Sequence, residues 1–127
     1  DRQSIWHPET IELLEQFAKE TTSIVLAPGQ TDVITDGENT FLGKNGTPLL
    51  GQITGTGCML NALTALWLSG TNPLTAALAA LSHINIAGER AAEKSCGPGT
   101  FHMSLLDTVW SLNETDISQR LQLSRRS

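Results

Sequence analysis

One stretch constrains the chain more than any other: a short glycine-rich turn that runs without a break into a long apolar segment. Gly55-Thr56-Gly57-Cys58 leads into Met59 to Leu68, and no Pro or Gly intervenes before Gly70. From Cys58 onward the residues favour helix, so the turn is expected to lie on a helix N-terminus. Gly55 and Gly57 open backbone conformations closed to other residues and present no Cβ to an approaching ligand. The first amides of a helix lack internal partners and sit at the positive end of its dipole, so they hold an anion, most simply a phosphate. Thr56 adds a small hydroxyl. Cys58 then falls in the first turn, a candidate base or nucleophile beside whatever is bound.

A bland reading stands next to this one. A lone Gly-x-Gly is common in loops, and a cysteine within an apolar run is usually a small buried hydrophobe. Neither familiar phosphate-loop pattern is completed, since no Gly-Lys-Ser/Thr follows and no third glycine makes a dinucleotide fingerprint.

The rest of the composition excludes more than it assigns. At 127 residues, 39% hydrophobic and 17% charged, the chain suits one globular unit with a core. A net charge of −5 argues against nucleic acid or an acidic membrane as the main partner. Gly70 and Pro73 interrupt the longest apolar stretch, so no membrane span is expected. Two cysteines, Cys58 and Cys96, are too few for a disulfide framework and point to free thiols in a reducing cytoplasm. The chain starts at Asp1, with no secretory leader, which is compatible with upstream sequence, processing or the design of the expressed piece.

In chain order, Ile5 to Glu20 reads as an amphipathic surface helix, with Pro8 in its first turn and Ile11, Leu14 and Phe17-Ala18 on its apolar face. Ser23 to Ala27 reads as a short buried strand stopped by Pro28-Gly29. Asp32 to Asp36 and Thr40 to Leu42 form a hairpin turned at Gly37-Glu38, and Asn45-Gly46 is another turn. Asp32, Asp36 and Glu38 are expected to be solvated turn formers rather than metal ligands. The helix after the glycine turn, apolar on most sides, is expected to be buried. Asn72-Pro73 starts a long alanine-rich helix from Leu74 to Lys94, whose charged end (Glu89, Arg90, Glu93, Lys94) is expected to be a solvated rim with local pairs. His83 within it is expected to be a core or interface group. Phe101 to Leu112 is a shorter helix after Gly97-Pro98-Gly99, and Asn113 to Ser127 an amphipathic tail around Ile117, Leu121 and Leu123.

The run Thr47-Pro48-Leu49-Leu50-Gly51-Gln52-Ile53-Thr54-Gly55-Thr56-Gly57-Cys58 resembles the active-site segment of the hydroxyethylthiazole kinase family, ribokinase-like enzymes of thiamine salvage. Asp32 to Gly37 resembles the hairpin preceding that segment. Ile86 to Glu93, Gly97-Pro98-Gly99-Thr100-Phe101 and Leu105-Leu106-Asp107 resemble its closing helices. The similarity covers nearly the whole chain.

The resemblance implies an α/β fold: the C-terminal portion of a ribokinase-like three-layer α/β/α domain, a few strands and a hairpin followed by three helices, with residues 1–127 as the C-terminal half and the N-terminal half absent. It implies transfer of the ATP γ-phosphate to the hydroxyl of 5-(2-hydroxyethyl)-4-methylthiazole. Gly55 would contact the thiazole, the amides of Thr56, Gly57 and Cys58 would hold the transferring phosphoryl group, and Cys58 would stand where related kinases place an aspartate base. A covalent nucleophile and an inert packing residue remain open for Cys58. Where the family has a nucleotide-contacting threonine the chain has Pro28, which lacks both hydroxyl and N–H. Magnesium, the metal that accompanies ATP, would take its ligands from the absent half, since no Asn-x-x-Glu motif occurs here. The implied partners are the thiazole alcohol and ATP, with a homotrimer or association with the absent half. Two other readings are another ribokinase-like kinase, such as one for hydroxymethylpyrimidine, and a catalytically silent interaction module.

Overall fold

The computed structural model describes residues 6–126. Helix α1 (Pro8–Thr21) precedes strands β1 (Val25–Ala27), β2 (Asp32–Thr35) and β3 (Thr40–Gly43); a single 3-10 turn, Pro48–Gln52, then leads to α2 (Thr56–Leu68). Helices α3 (Pro73–Glu93), α4 (Pro98–Ser111) and α5 (Glu114–Arg120) follow, and β4 (Leu123–Arg125) closes the order. The fold is thus mixed α/β. Ile5, expected to open the first helix, lies outside the described residues.

The four strands form an antiparallel meander in the order β1-β2-β3-β4, with Val25 opposite Thr35, Thr35 opposite Thr40 and Leu42 opposite Ser124. All four residues of β2 are buried because α1 lies against one face of the strand and α3 against the other. Side chains alternate along a strand. Ile34 therefore packs on Ala77 and Leu81 of α3, and Asp32, two residues earlier, shares that face. Thr35 takes the α1 side, where its hydroxyl meets that of Thr40 at 2.8 Å and Thr40 in turn donates to Glu15.

Helix α3 is the axis of the chain. Asn72 caps it by accepting from Thr75 N–H at 3.0 Å, and its alanines allow neighbours to approach closely. Its far half packs with Leu50, Phe101 and Leu105, around Ala87 and Ala91. Burying each such large side chain contributes roughly 1.5–3 kcal/mol. At Gly88 an added Cβ would come within 3.1–3.3 Å of three Leu50 carbons, so the glycine is what lets the 3-10 turn sit against α3.

Four expectations change. Strand β1 is half-buried rather than buried, and pairs antiparallel with β2 at the edge of the sheet. Helix α2 is not buried all round: Leu63 is its one buried residue, while Leu66 is 67% exposed. Its Leu60, Leu63 and Trp67 stripe packs on Ala80 and Ile84 of α3, and no described element covers the opposite side. The tail is ordered as α5 and β4, the latter hydrogen-bonded to β3. The charged end of α3 pairs at long range instead of locally: Arg90 with Asp116 at 2.9 Å, and Glu93 with Arg120 at 2.7 Å. Among the described residues no helix is long and apolar enough to cross a membrane.

Candidate functional site

Helix α2 begins at Thr56, two residues earlier than propensity alone suggests, because Gly55 takes the N-cap position with φ 96° and ψ 0°. That left-handed conformation is where glycine is favoured. Gly57 lies within the helix and needs no such freedom. A Cβ built at either glycine would meet nothing within 4 Å, so the backbone here faces open space. The first helical hydrogen bond runs from Met59 N–H to Gly55 C=O at 2.9 Å, leaving the amides of Thr56, Gly57 and Cys58 ahead of it. No side chain caps them, as at α1 and α4, whereas Asn72 and Asn113 cap α3 and α5; what sets the α2 end apart is the cleft beside it. A 13-residue helix thus presents a bare positive dipole end. Thr56 Oγ1 donates to Leu50 C=O at 3.4 Å, a long contact that ties the helix start to the 3-10 turn.

An open cleft of about 160 Å³ lies beside this end. Leu50, Leu60, Leu81 and Ile84 make its apolar walls. Thr56, Gly57, Pro28, Gly51 and Asn85 complete its lining. Three residues singled out in the sequence, Pro28, Thr56 and Gly57, are therefore brought together although 28 positions separate the first two. Gly55 and Cys58 do not line this cleft. Both are exposed, one at the N-cap and the other in the first turn of α2. Side chains of a helix lean toward its N-terminus, which directs the thiol toward the amide end.

Behind the cleft lies a polar arrangement that sequence reasoning missed. Asp32, expected to be solvated, is fully buried. Its Oδ1 accepts from Gly29 N–H at 2.9 Å and its Oδ2 accepts from Asn85 Nδ2 at 2.7 Å. The carboxylate thus joins the loop after β1, strand β2 and helix α3 at one point. Two signals were available: Asp32 shares parity with the apolar Ile34, and Asn85 interrupts the apolar stripe of α3 between Leu81 and Gly88. Asp36, by contrast, is a turn former as expected, accepting from the N–H groups of Glu38 and Asn39. The Asn39 N–H, its strongest influence, holds the Asp36 carboxyl below the usual carboxylate value.

His83 places Nε2 at 2.9 Å from Val109 C=O and its ring edge-on to Trp67, centroids 6.3 Å apart, at the junction of α2, α3 and α4. That is the packed role its apolar surroundings suggest. Its Nδ1 and Trp67 Nε1 are buried without a hydrogen-bond partner among the described residues. Cys58 and Cys96 are free thiols. Among the described residues no three His, Cys, Asp or Glu side chains gather as a metal-ligand set.

The match to known proteins follows the same outline. Residues 3–115 match the model of the hydroxyethylthiazole kinase family. The chain is 38% identical over 117 residues to a hydroxyethylthiazole kinase of Pyrococcus furiosus, covering 91% of this chain and 44% of that protein. It is 40% identical over 111 residues to one of Methanosarcina mazei, covering 86% and 42% respectively. The solved structure of a hydroxyethylthiazole kinase protein from Pyrococcus horikoshii superposes with a TM-score of 0.89 at 38% identity, over 94% of this chain and 47% of that one. The chain spans a little under half the length of these relatives. With a family match over most of its length and a shared backbone arrangement, the chain belongs to the hydroxyethylthiazole kinase family.

Proposed function

We propose that this chain carries the phosphoryl-handling part of a kinase that transfers the γ-phosphate of ATP to the hydroxyl of 5-(2-hydroxyethyl)-4-methylthiazole. The observation that carries the reading is the uncapped N-terminus of α2, open to solvent at Gly55 and Gly57 and flanked by a cleft with apolar walls. The names of the relatives supply the thiazole and favour it over a pyrimidine alcohol.

In this reading the amides of Thr56, Gly57 and Cys58 hold the phosphoryl oxygens as charge spreads over them. The thiazole alcohol oxygen attacks the γ-phosphorus, the bond to the β-phosphate oxygen breaks and ADP leaves. The alcohol proton passes to Cys58 Sγ, which acts as the base. Gly55 borders the thiazole, and Pro28 borders the nucleotide through ring contact alone. Magnesium, which the resemblance brings with ATP, would take ligands from outside these 127 residues, and no step above runs through it. The exposed apolar face of α2 is suited to cover by the remainder of such an enzyme or by neighbouring copies in a homotrimer, acting in the cytoplasm.

The test is ATP-dependent phosphorylation by the natural full-length protein. Stoichiometric ADP and thiazole phosphate are expected. No thiazole phosphate, or hydroxymethylpyrimidine used in preference, would contradict the proposal.

A further inference from the structure

We infer that Asn85, held by the buried Asp32, reads the edge of an adenine base in the cleft and so sets the nucleotide preference of this protein. The inference rests on the nucleotide reading above. It starts from the division of the cleft into two chemistries. The bare amides at the start of α2 suit phosphates, whereas Leu50, Leu60, Leu81 and Ile84 suit a flat heterocycle and would exclude an anion. Asn85 is the one side-chain amide on that lining.

Asp32 settles how that amide is turned. A carboxylate oxygen accepts, so the group 2.7 Å from Asp32 Oδ2 is the Asn85 nitrogen. With Asp32 also anchored by Gly29 N–H, Asn85 is pinned at one end. Among the described residues its side chain makes only this hydrogen bond, and its Oδ1 is not among the buried atoms lacking a partner. Asn85 is 3% exposed, and its Oδ1 and second N–H, which bond no described residue, are the groups it can offer where it lines the cleft. Adenine offers the complement, an exocyclic amine donor next to a ring-nitrogen acceptor, the pair that Asn matches in bidentate fashion. Guanine places a carbonyl acceptor where adenine has the amine, opposite Asn85 Oδ1. A thiazole ring has no such paired edge.

The experiment compares KM for ATP, GTP and thiazole in the natural full-length protein and its variants. The wild type is expected to prefer ATP by at least about tenfold, the effect of one well-placed hydrogen bond. Asn85→Ala should raise the ATP KM about tenfold, erase the preference and leave the thiazole KM in place. Asp32→Asn should erode the preference less, with no further loss in the double variant, because Asp32 acts through Asn85. Exchanging the pair, Asp32→Asn with Asn85→Asp, keeps the buried hydrogen bond but offers the ligand acceptors only. Preference should then move toward GTP, whose N1–H and exocyclic N–H both donate; this variant also decides the matter if Asn85→Ala does not fold. Equal use of ATP and GTP by the wild type, or a preference that survives both Asn85→Ala and the exchange, overturns the inference while leaving kinase activity intact. A shift in thiazole KM alone also overturns it. A wild type with no ATP-dependent transfer removes this inference and the proposed function together.

Discussion

The side chain of Glu89, on α3, accepts from Asn45 Nδ2 at 2.9 Å and, through the same oxygen, from the neighbouring Gly46 N–H at 2.9 Å. Asn45 is 4% exposed and spends its remaining capacity on the tail, donating to Arg120 C=O at 2.8 Å and accepting from Gln122 N–H at 2.7 Å. One amide thus fastens the end of the meander to α3 and to α5–β4. Truncating it leaves buried partners without hydrogen bonds, which costs about 1–3 kcal/mol. Asn45→Ala should lower the urea midpoint accordingly and make residues 114–126 the first to be cut by protease. An unchanged midpoint with a protected tail would contradict this.

Two glycines with nearly the same backbone angle should respond differently to the same change. Gly37 has φ 97° and an added Cβ would lie 2.9 Å from Lys19 backbone nitrogen, whereas Gly55 has φ 96° and open space around it. Left-handed strain costs about 1–2 kcal/mol in both. Gly37→Ala adds a collision with backbone that cannot rotate away. Thermal denaturation should therefore show Gly37→Ala as clearly the more destabilised, with activity per folded molecule retained. Gly55→Ala should stay folded and lose activity, because it disturbs the start of α2. Equal loss of stability in the two would contradict the geometry.

Much of this was legible beforehand where the determinant is local. Asn72-Pro73 announces α3, and Gly37 marks the hairpin turn. The glycine turn marks the start of α2 to within two residues because only a short run of backbone decides it. What was not legible depends on partners far along the chain. Asp32 is buried because Asn85 waits 53 residues later. The tail is a strand because β3 has a free edge and because Arg126 reaches Glu15 at 2.9 Å. Periodicity reported how apolar α2 is, but not which side of it a neighbour covers. At the candidate site, Thr56 and Gly57 were legible as a glycine turn before a helix and Pro28 through resemblance, and tertiary folding brings the three together; the Asp32–Asn85 pair needed the structure.

Asp36 gives the hairpin a sign-definite response to acid. Its folded carboxyl sits below the ordinary value of 3.8, chiefly through Asn39 N–H, with Glu38 N–H adding to it. A depressed folded value contributes stability above the unfolded value, and that contribution is lost as pH falls through the folded one. The stability gap between wild type and Asp36→Ala should therefore be widest near neutral pH and narrow below pH 3.8. The group is only partly buried, so the gap is small and should shrink with added salt. A gap that grows on acidification would contradict the assigned cause.

The placement of Cys58 in the first turn of α2, beside three amides with no helical partner, is tested most directly by single-turnover phosphorylation of the thiazole alcohol by Cys58→Ala in the natural full-length protein. The expected result is a rate of phosphoryl transfer lower by about 100-fold or more, with ATP affinity nearly unchanged. An undiminished rate would remove the thiol from the reaction and leave the helix end as a binding element alone.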